Sequence, residues 1–201
     1  VIRISDKKFK NRQKLLSAAL KEFSSTSYEN ASLNNILKTA DLSKGSFYYH
    51  FKNKEDLYLA LLKQSFEEKW SFIMGSDFLS EKSYSNLDIY DKFLVQAKLG
   101  MEFAKVHPEY HKLGKMFAQE NGNAIHSSAL SQLGASAVNP LDDMITQSIK
   151  NGEIDEAYSK EFIHKMLTHL FSSYDDIFDR EDDYEKKLKE YIRFIKQGFT
   201  P

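Results

Sequence analysis

The chain has 201 residues, with 28 Lys plus Arg against 29 Asp plus Glu, a formal charge of −1 and no cysteine. A hydrophobic share of 41% beside 28% charged residues suits a folded domain and excludes a disordered tail. The missing cysteines exclude a disulfide framework, thiolate metal sites and a cysteine nucleophile, and they match a cytoplasmic setting. With only 8 Gly and 3 Pro, turn signals are sparse and the composition predicts an all-α protein. The longest apolar run, Leu57 to Leu62, is far below the ~20 residues of a membrane span, so no membrane partner is expected.

The balanced charge hides a division. Residues 1–54 hold eleven basic and four acidic side chains, a net +7, which leaves −8 on residues 55–201. Such an asymmetry suggests a polyanion-binding head on a separate body, the alternative being a solvated basic face with no partner. In chain order, Leu16, Ala19, Leu20 and Phe23 form one apolar stripe on a first helix from about Lys7 to Ser25. Ser32 caps a short second helix with Leu33, Ile36 and Leu37 on its core side, and Asp41 stands where the next turn needs a left-handed residue. Ser43 caps a third helix whose core side is Phe47 and Phe51, so Tyr48 and Tyr49 must project elsewhere. Asn53 caps a fourth, with Glu55 and Asp56 facing the positive end of its dipole.

After a loop-like stretch, residues 75–85, helical spacing resumes near Asn86 and runs to His107, where Pro108 opens a further helix. Asn121 to Asn123 is a break, Pro140 restarts a helix, and Gly152 is placed as its C-terminal cap. Two last helices carry stripes of Ile163, Met166, Leu167, Leu170, Tyr174 and Ile177, and of Tyr184, Leu188, Tyr191, Ile192, Ile195 and Phe199.

Helices two and three have the proportions of a helix-turn-helix unit. The third offers Ser43, Lys44, Gly45, Ser46, Tyr48, Tyr49 and His50 away from its core side: donors, a point charge, flat aromatic surfaces and a glycine that permits close approach. These groups suit guanine acceptors, thymine methyls and phosphates. The competing readings are that the tyrosines pack on helix one and that His50 is a packing residue. Lys7, Lys8 and Arg12 add nonspecific attraction.

The segment SKGSFYYHFKNKEDL, residues 43–57, closely resembles the recognition-helix signature of the tetracycline-repressor (TetR) family of bacterial transcriptional regulators. LLSAALKEF, residues 15–23, and YENASLNNILKTADLSKG, residues 28–45, follow that family's first two helices, while Ser27 and Asp41 stand where it usually has glycine. The resemblance implies that Lys44, Gly45, Tyr48, Tyr49 and Asn34 approach bases, and that Ser32, Ser46, His50 and Lys54 meet phosphates. It divides the chain into a helix-turn-helix DNA-binding domain, residues 1–54, and a helical ligand-binding and dimerisation domain, residues 55–201.

By the same resemblance the protein is a homodimer on a palindromic double-stranded operator, most simply a repressor released by a small-molecule effector. Trp70, Phe93, Met101, Phe103, Phe117 and Met144 are the candidate effector contacts, the alternative for each being ordinary core. The two last stripes, residues Ile163 to Ile177 and Tyr184 to Ile195 as named above, would form the dimer interface, unless both face the subunit's own core. His107 and His111 lie four apart, but Pro108 separates their settings, so no metal site is read there. No phosphate loop and no Ser, His and acid set stands out, so neither a cofactor nor an enzyme activity is implied. The rival functions are a DNA-binding regulator whose body takes a protein partner, and a helical enzyme with a basic surface.

Overall fold

In the computed structural model, residues 4–76, 84, 86–134, 141–177 and 183–201 are described, without the side chains of 4–9, 172, 175 and 176. Among them are ten helices: α1 (Ile4–Phe23), α2 (Leu33–Ala40), α3 (Lys44–His50), α4 (Lys54–Met74), α5 (Ile89–Val106), α6 (Pro108–Gln119), α7 (Ala124–Leu133), α8 (Leu141–Lys150), α9 (Lys160–Ile177) and α10 (Tyr184–Phe199). The expected loop at 75–85 and the restart at Pro140 lie largely outside the described residues.

The contacts divide the chain into two units: Val1–Ser71 with Phe103–Val138, and Phe72–Glu102 with Asn139–Pro201. This partition by packing differs from the one by charge at residue 54, because α6 and α7 share a core with α1 to α4. Leu15, Leu16, Ala19 and Phe23 of α1 meet Ile36 and Leu37 of α2, Phe47 and Phe51, Leu57, Tyr58, Leu61 and Leu62 of α4, Leu113 and Phe117 of α6, and Ile125 and Ala129 of α7.

The head's helices end where their sequence dictates. Asn35 N–H donates to Ser32 Oγ (3.3 Å), Ser46 N–H to Ser43 Oγ (3.2 Å) and Asp56 N–H to Asn53 Oδ1 (2.8 Å), three side-chain caps on orphan amides. Asp41 closes α2 at φ 53° and ψ 51°, its N–H on Lys38 O (3.2 Å) and that of Leu42 on Leu37 O (3.1 Å). A left-handed backbone strains any residue with a Cβ. Asp41→Gly is therefore expected to raise stability by about 0.5–1 kcal/mol, read as a higher urea midpoint at unchanged slope.

In the second unit, Leu141 and Ile145 of α8 pack with Ile89, Tyr90 and Phe93 of α5, Ile154, and α9 and α10. Gly152, at φ 72°, ends α8 as expected: its N–H reaches Ile149 O (3.0 Å) and the next, of Glu153, reaches Ser148 O (2.9 Å).

Most of the residues expected at a dimer interface are already covered inside this unit. Ile163, Leu167, Tyr174, Leu188, Tyr191, Ile192 and Ile195 are buried in this unit's own core, and Met166, Leu170 and Tyr184 pack against it. The tyrosines seal the pairing from inside, Tyr191 Oη donating to Leu170 O (2.8 Å) and Tyr174 Oη to Tyr184 O (3.0 Å). Of the eleven residues, Ile177 alone is exposed, at 57%. The stripes fold α9 onto α10 within one chain, the alternative that helical periodicity had left open.

Candidate nucleic-acid interface

Within the first unit, α3 is anchored from below by Phe47, fully buried, and Phe51, whose rings lie 6.0 Å apart. Helical geometry then turns the two residues between them outward: Tyr48 and Tyr49 are each 60% exposed. Tyrosines of that exposure bury little in this chain, so the packing alternative on helix one does not describe them. Ser43, Lys44 and Gly45 are exposed beside them, and Ser46 and His50 are half-buried.

Two hydroxyls of the expected set also work inside the chain. Ser32 and Ser43 accept cap bonds and each keeps its own O–H as a donor toward an outside anion. Asn34 is exposed on α2, and Asn11 of α1 donates to Ser46 Oγ (3.4 Å), joining α1 to the first turn of α3. Arg12 lies over the Phe51 ring (5.5 Å), while the side chains of Lys7 and Lys8 lie outside the described residues.

Gly45 has no reason inside the protein to be glycine. A Cβ built there would meet only Ser43 Oγ, at 3.8 Å, an ordinary contact. Glycine in a helix is less stable than alanine by up to about 1 kcal/mol. The bare backbone at Gly45 leaves the first turn of α3 open to the outside.

Lys54 departs from expectation. Its ammonium donates to Tyr28 O (2.7 Å), Ala31 O (3.1 Å) and Glu29 O (3.3 Å) and lies 4.5 Å from the Tyr28 ring centroid. An ammonium has three N–H bonds, and the α1–α2 loop takes all three. In this structure Lys54 holds a loop and is not turned outward toward a phosphate. Tyr28 itself packs against Tyr58 (5.0 Å), whose pKa is raised by burial and then by the charge of Glu120.

The expected effector contacts go to separate cores. Phe93, on the Phe171 ring at 4.0 Å, and the partly buried Met101 and Met144 belong to the second. Phe117 belongs to the first, between Phe66 (6.0 Å) and His126 (4.6 Å), and is a core residue. Phe103 is buried against His107 (5.0 Å), and Trp70 is half-buried. Among the described residues no group of His, Asp and Glu is arranged to hold a metal, and no helix is long and apolar enough to cross a membrane.

A short helix seated by its own aromatic pair, preceded by a capped helix and a tight turn, and presenting tyrosines, lysine and a bare backbone, defines a helix-turn-helix DNA-binding protein. Residues 15–61 match the family model described as bacterial regulatory proteins, tetR family. Among curated proteins the chain is 25% identical over 158 residues to the fatty acid metabolism regulator protein of Bacillus subtilis (strain 168), covering 76% of this chain and 75% of that one. It is 29% identical over 85 residues to the biofilm operon icaADBC HTH-type negative transcriptional regulator IcaR of Staphylococcus aureus (strain Newman), covering 42% of this chain and 44% of the other. Among solved structures, the transcriptional regulator FadR from Bacillus subtilis in complex with stearoyl-CoA superposes with a TM-score of 0.63 at 19% identity, covering 93% of this chain and 98% of that one, a likeness of fold. Residues 15–61 thus carry the DNA-binding segment of the tetR family of bacterial regulatory proteins, and the chain as a whole is similar in fold to regulators of that family.

Proposed function

We propose that the chain is a repressor that holds a palindromic operator as a homodimer and releases it when a small molecule occupies its helical body. In this reading residues 1–54 read the DNA and residues 55–201 receive the effector and the partner subunit. The observation that carries the DNA half is the outward projection of Tyr48 and Tyr49 from a helix whose core side is already filled. Lys44, Gly45 and Asn34 join them at base edges, and Ser32, Ser43, Ser46 and His50 serve the phosphates. Selection of duplexes from genomic fragments by the full chain tests it. The expected product is an inverted repeat with half-site centres about 34 Å apart, bound with an affinity that falls steeply with salt. Recovery of no preferred sequence would refute the reading.

The effector we propose is an acyl-coenzyme A. It is supported by the curated relative that is similar over three quarters of the chain, body included, and is a fatty acid metabolism regulator. Phe93, Met101 and Met144, where Gln96 Nε2 donates to Met144 Sδ (3.7 Å) and Tyr84 Oη (3.2 Å), are the proposed effector-contacting group. An effector shifts the equilibrium only by its preference for the DNA-free state. Stearoyl-CoA should raise the operator Kd at least tenfold while coenzyme A alone leaves it unchanged; equal effects would reject an acyl effector.

For the dimer face, the residues left outward on the last two helices are the candidates: Phe162 at 45% exposure, Phe194 at 69% and Ile177. Phe194→Glu is expected to shift sedimentation from dimer toward monomer and to weaken operator binding at least tenfold, with little change in melting temperature. An unchanged dimer would move the interface elsewhere.

A further inference from the structure

Of the described residues, Glu120 at the C-terminus of α6 is the only buried one with a carboxylate, at 4% exposure. A charge taken out of water is stable only when its oxygens are satisfied. Glu120 Oε1 accepts from Tyr28 N–H at 2.7 Å across 92 residues of sequence, and Oε2 accepts from Asn123 Nδ2 at 2.5 Å. Nothing about ending α6 calls for this, since the backbone N–H of Glu120 already closes on Phe117 O (3.1 Å).

Tyr28 lies in the loop that leads into α2, and the peptide groups on both sides of it are gripped. The carboxylate from α6 takes its N–H, and the ammonium of Lys54, at the start of α4, takes its carbonyl at 2.7 Å. Lys54 also takes Ala31 O (3.1 Å), Glu22 Oε1 takes Ser32 N–H (2.8 Å), and Ser32 Oγ caps α2. The five residues from Tyr28 to Ser32, the N-cap of α2, are fastened by three charged side chains, from α1, from α4 and from the C-cap of α6. Charge-assisted bonds of this kind are shorter and stiffer than neutral ones. A second bond, Ser128 Oγ of α7 to Glu55 Oε1 of α4 (2.6 Å), ties α7 to the same region.

We propose that Glu120 is a positioning residue for DNA binding: through Tyr28 its carboxylate sets the entry of α2 from the α6–α7 turn. A movement of that turn which breaks the bond leaves a buried carboxylate and a peptide N–H unpaired, and frees the start of α2 to shift. The inference rests on the assignment of α2 and α3 as the DNA-reading helices.

The test uses the full chain and the duplex recovered by the selection above. Glu120→Asp keeps the charge but withdraws the acceptor by one methylene, and Glu120→Gln keeps an acceptor at the original reach. Leu113→Ala, a core change in the same helix that leaves Tyr28 N–H untouched, reports general destabilisation. Operator Kd is measured alongside hydrogen exchange of peptides covering residues 27–33. Glu120→Asp should weaken operator binding about tenfold and speed that exchange, Glu120→Gln should stay within threefold on both, and folded Leu113→Ala should keep its operator affinity within threefold. Wild-type affinity and exchange in Glu120→Asp, or the same loss of affinity in all three variants, would overturn the proposal. If the wild-type chain selects no DNA, the DNA-reading assignment fails by itself, and the exchange at residues 27–33 still decides whether Glu120 holds the loop.

Discussion

Phe47→Ala is expected to destabilise the protein by about 3–5 kcal/mol, the range for emptying a fully buried aromatic site. The position combines two duties. Phe47 sits in the core that joins α1, α2, α4, α6 and α7, and with Phe51 it is the floor on which α3 stands. The cavity therefore opens beneath the recognition helix itself, and operator binding should be lost even at temperatures where most molecules remain folded. Chemical denaturation and operator titration on one sample check both parts. A loss below about 1 kcal/mol would mean that α3 is seated by other contacts.

The double change Tyr48→Ala and Tyr49→Ala should do the reverse. Both side chains are mostly in solvent, so the melting temperature should move by no more than a few degrees. Operator affinity should fall about 100-fold or more, with each ring worth about 1–3 kcal/mol at a base edge. Binding to unrelated duplex, which depends on charge that the change does not touch, should stay within a few-fold. A uniform loss on all sequences would reassign the tyrosines to phosphate contact. Together the two experiments separate a residue that builds the reading helix from residues that read.

Much of the head was legible in sequence because its determinants are local. A cap is a serine or asparagine three residues before the amide it serves, and Ser32, Ser43 and Asn53 each bond where that spacing puts them. Asp41 is recognisable as the left-handed residue from its place in the turn and from the tolerance of Asp for that conformation. Periodicity likewise named Phe47 and Phe51 as core and released Tyr48 and Tyr49.

What stayed illegible shares a different cause. A stripe such as Ile163, Leu167 and Tyr174 reveals that one face of a helix is apolar but not which surface covers it, and here that surface is α10 of the same chain with α5 and α8. Lys54 looks like a solvated cation in its own neighbourhood, and only the return of the chain puts the carbonyls of a loop some 25 residues earlier around its ammonium. Glu120 carried no signal at all, since a glutamate at a helix end is ordinarily exposed and its burial depends on a segment 92 residues away.

The first unit is discontinuous along the chain: Leu113, Phe117, Ile125 and Ala129 complete a core begun at Leu15. During synthesis, α1 to α4 leave the ribosome well before their last packing partners exist, so the head cannot reach its final stability until α7 has emerged. Closure of that core requires long-range contacts, which places it late and slow in folding relative to the local helices. A gene fragment cut after α4 would make a DNA-reading motif with part of its hydrophobic floor facing water, suited to capture by chaperones or degradation. Premature termination anywhere before α7 would thus remove the protein outright and not leave a free, folded head.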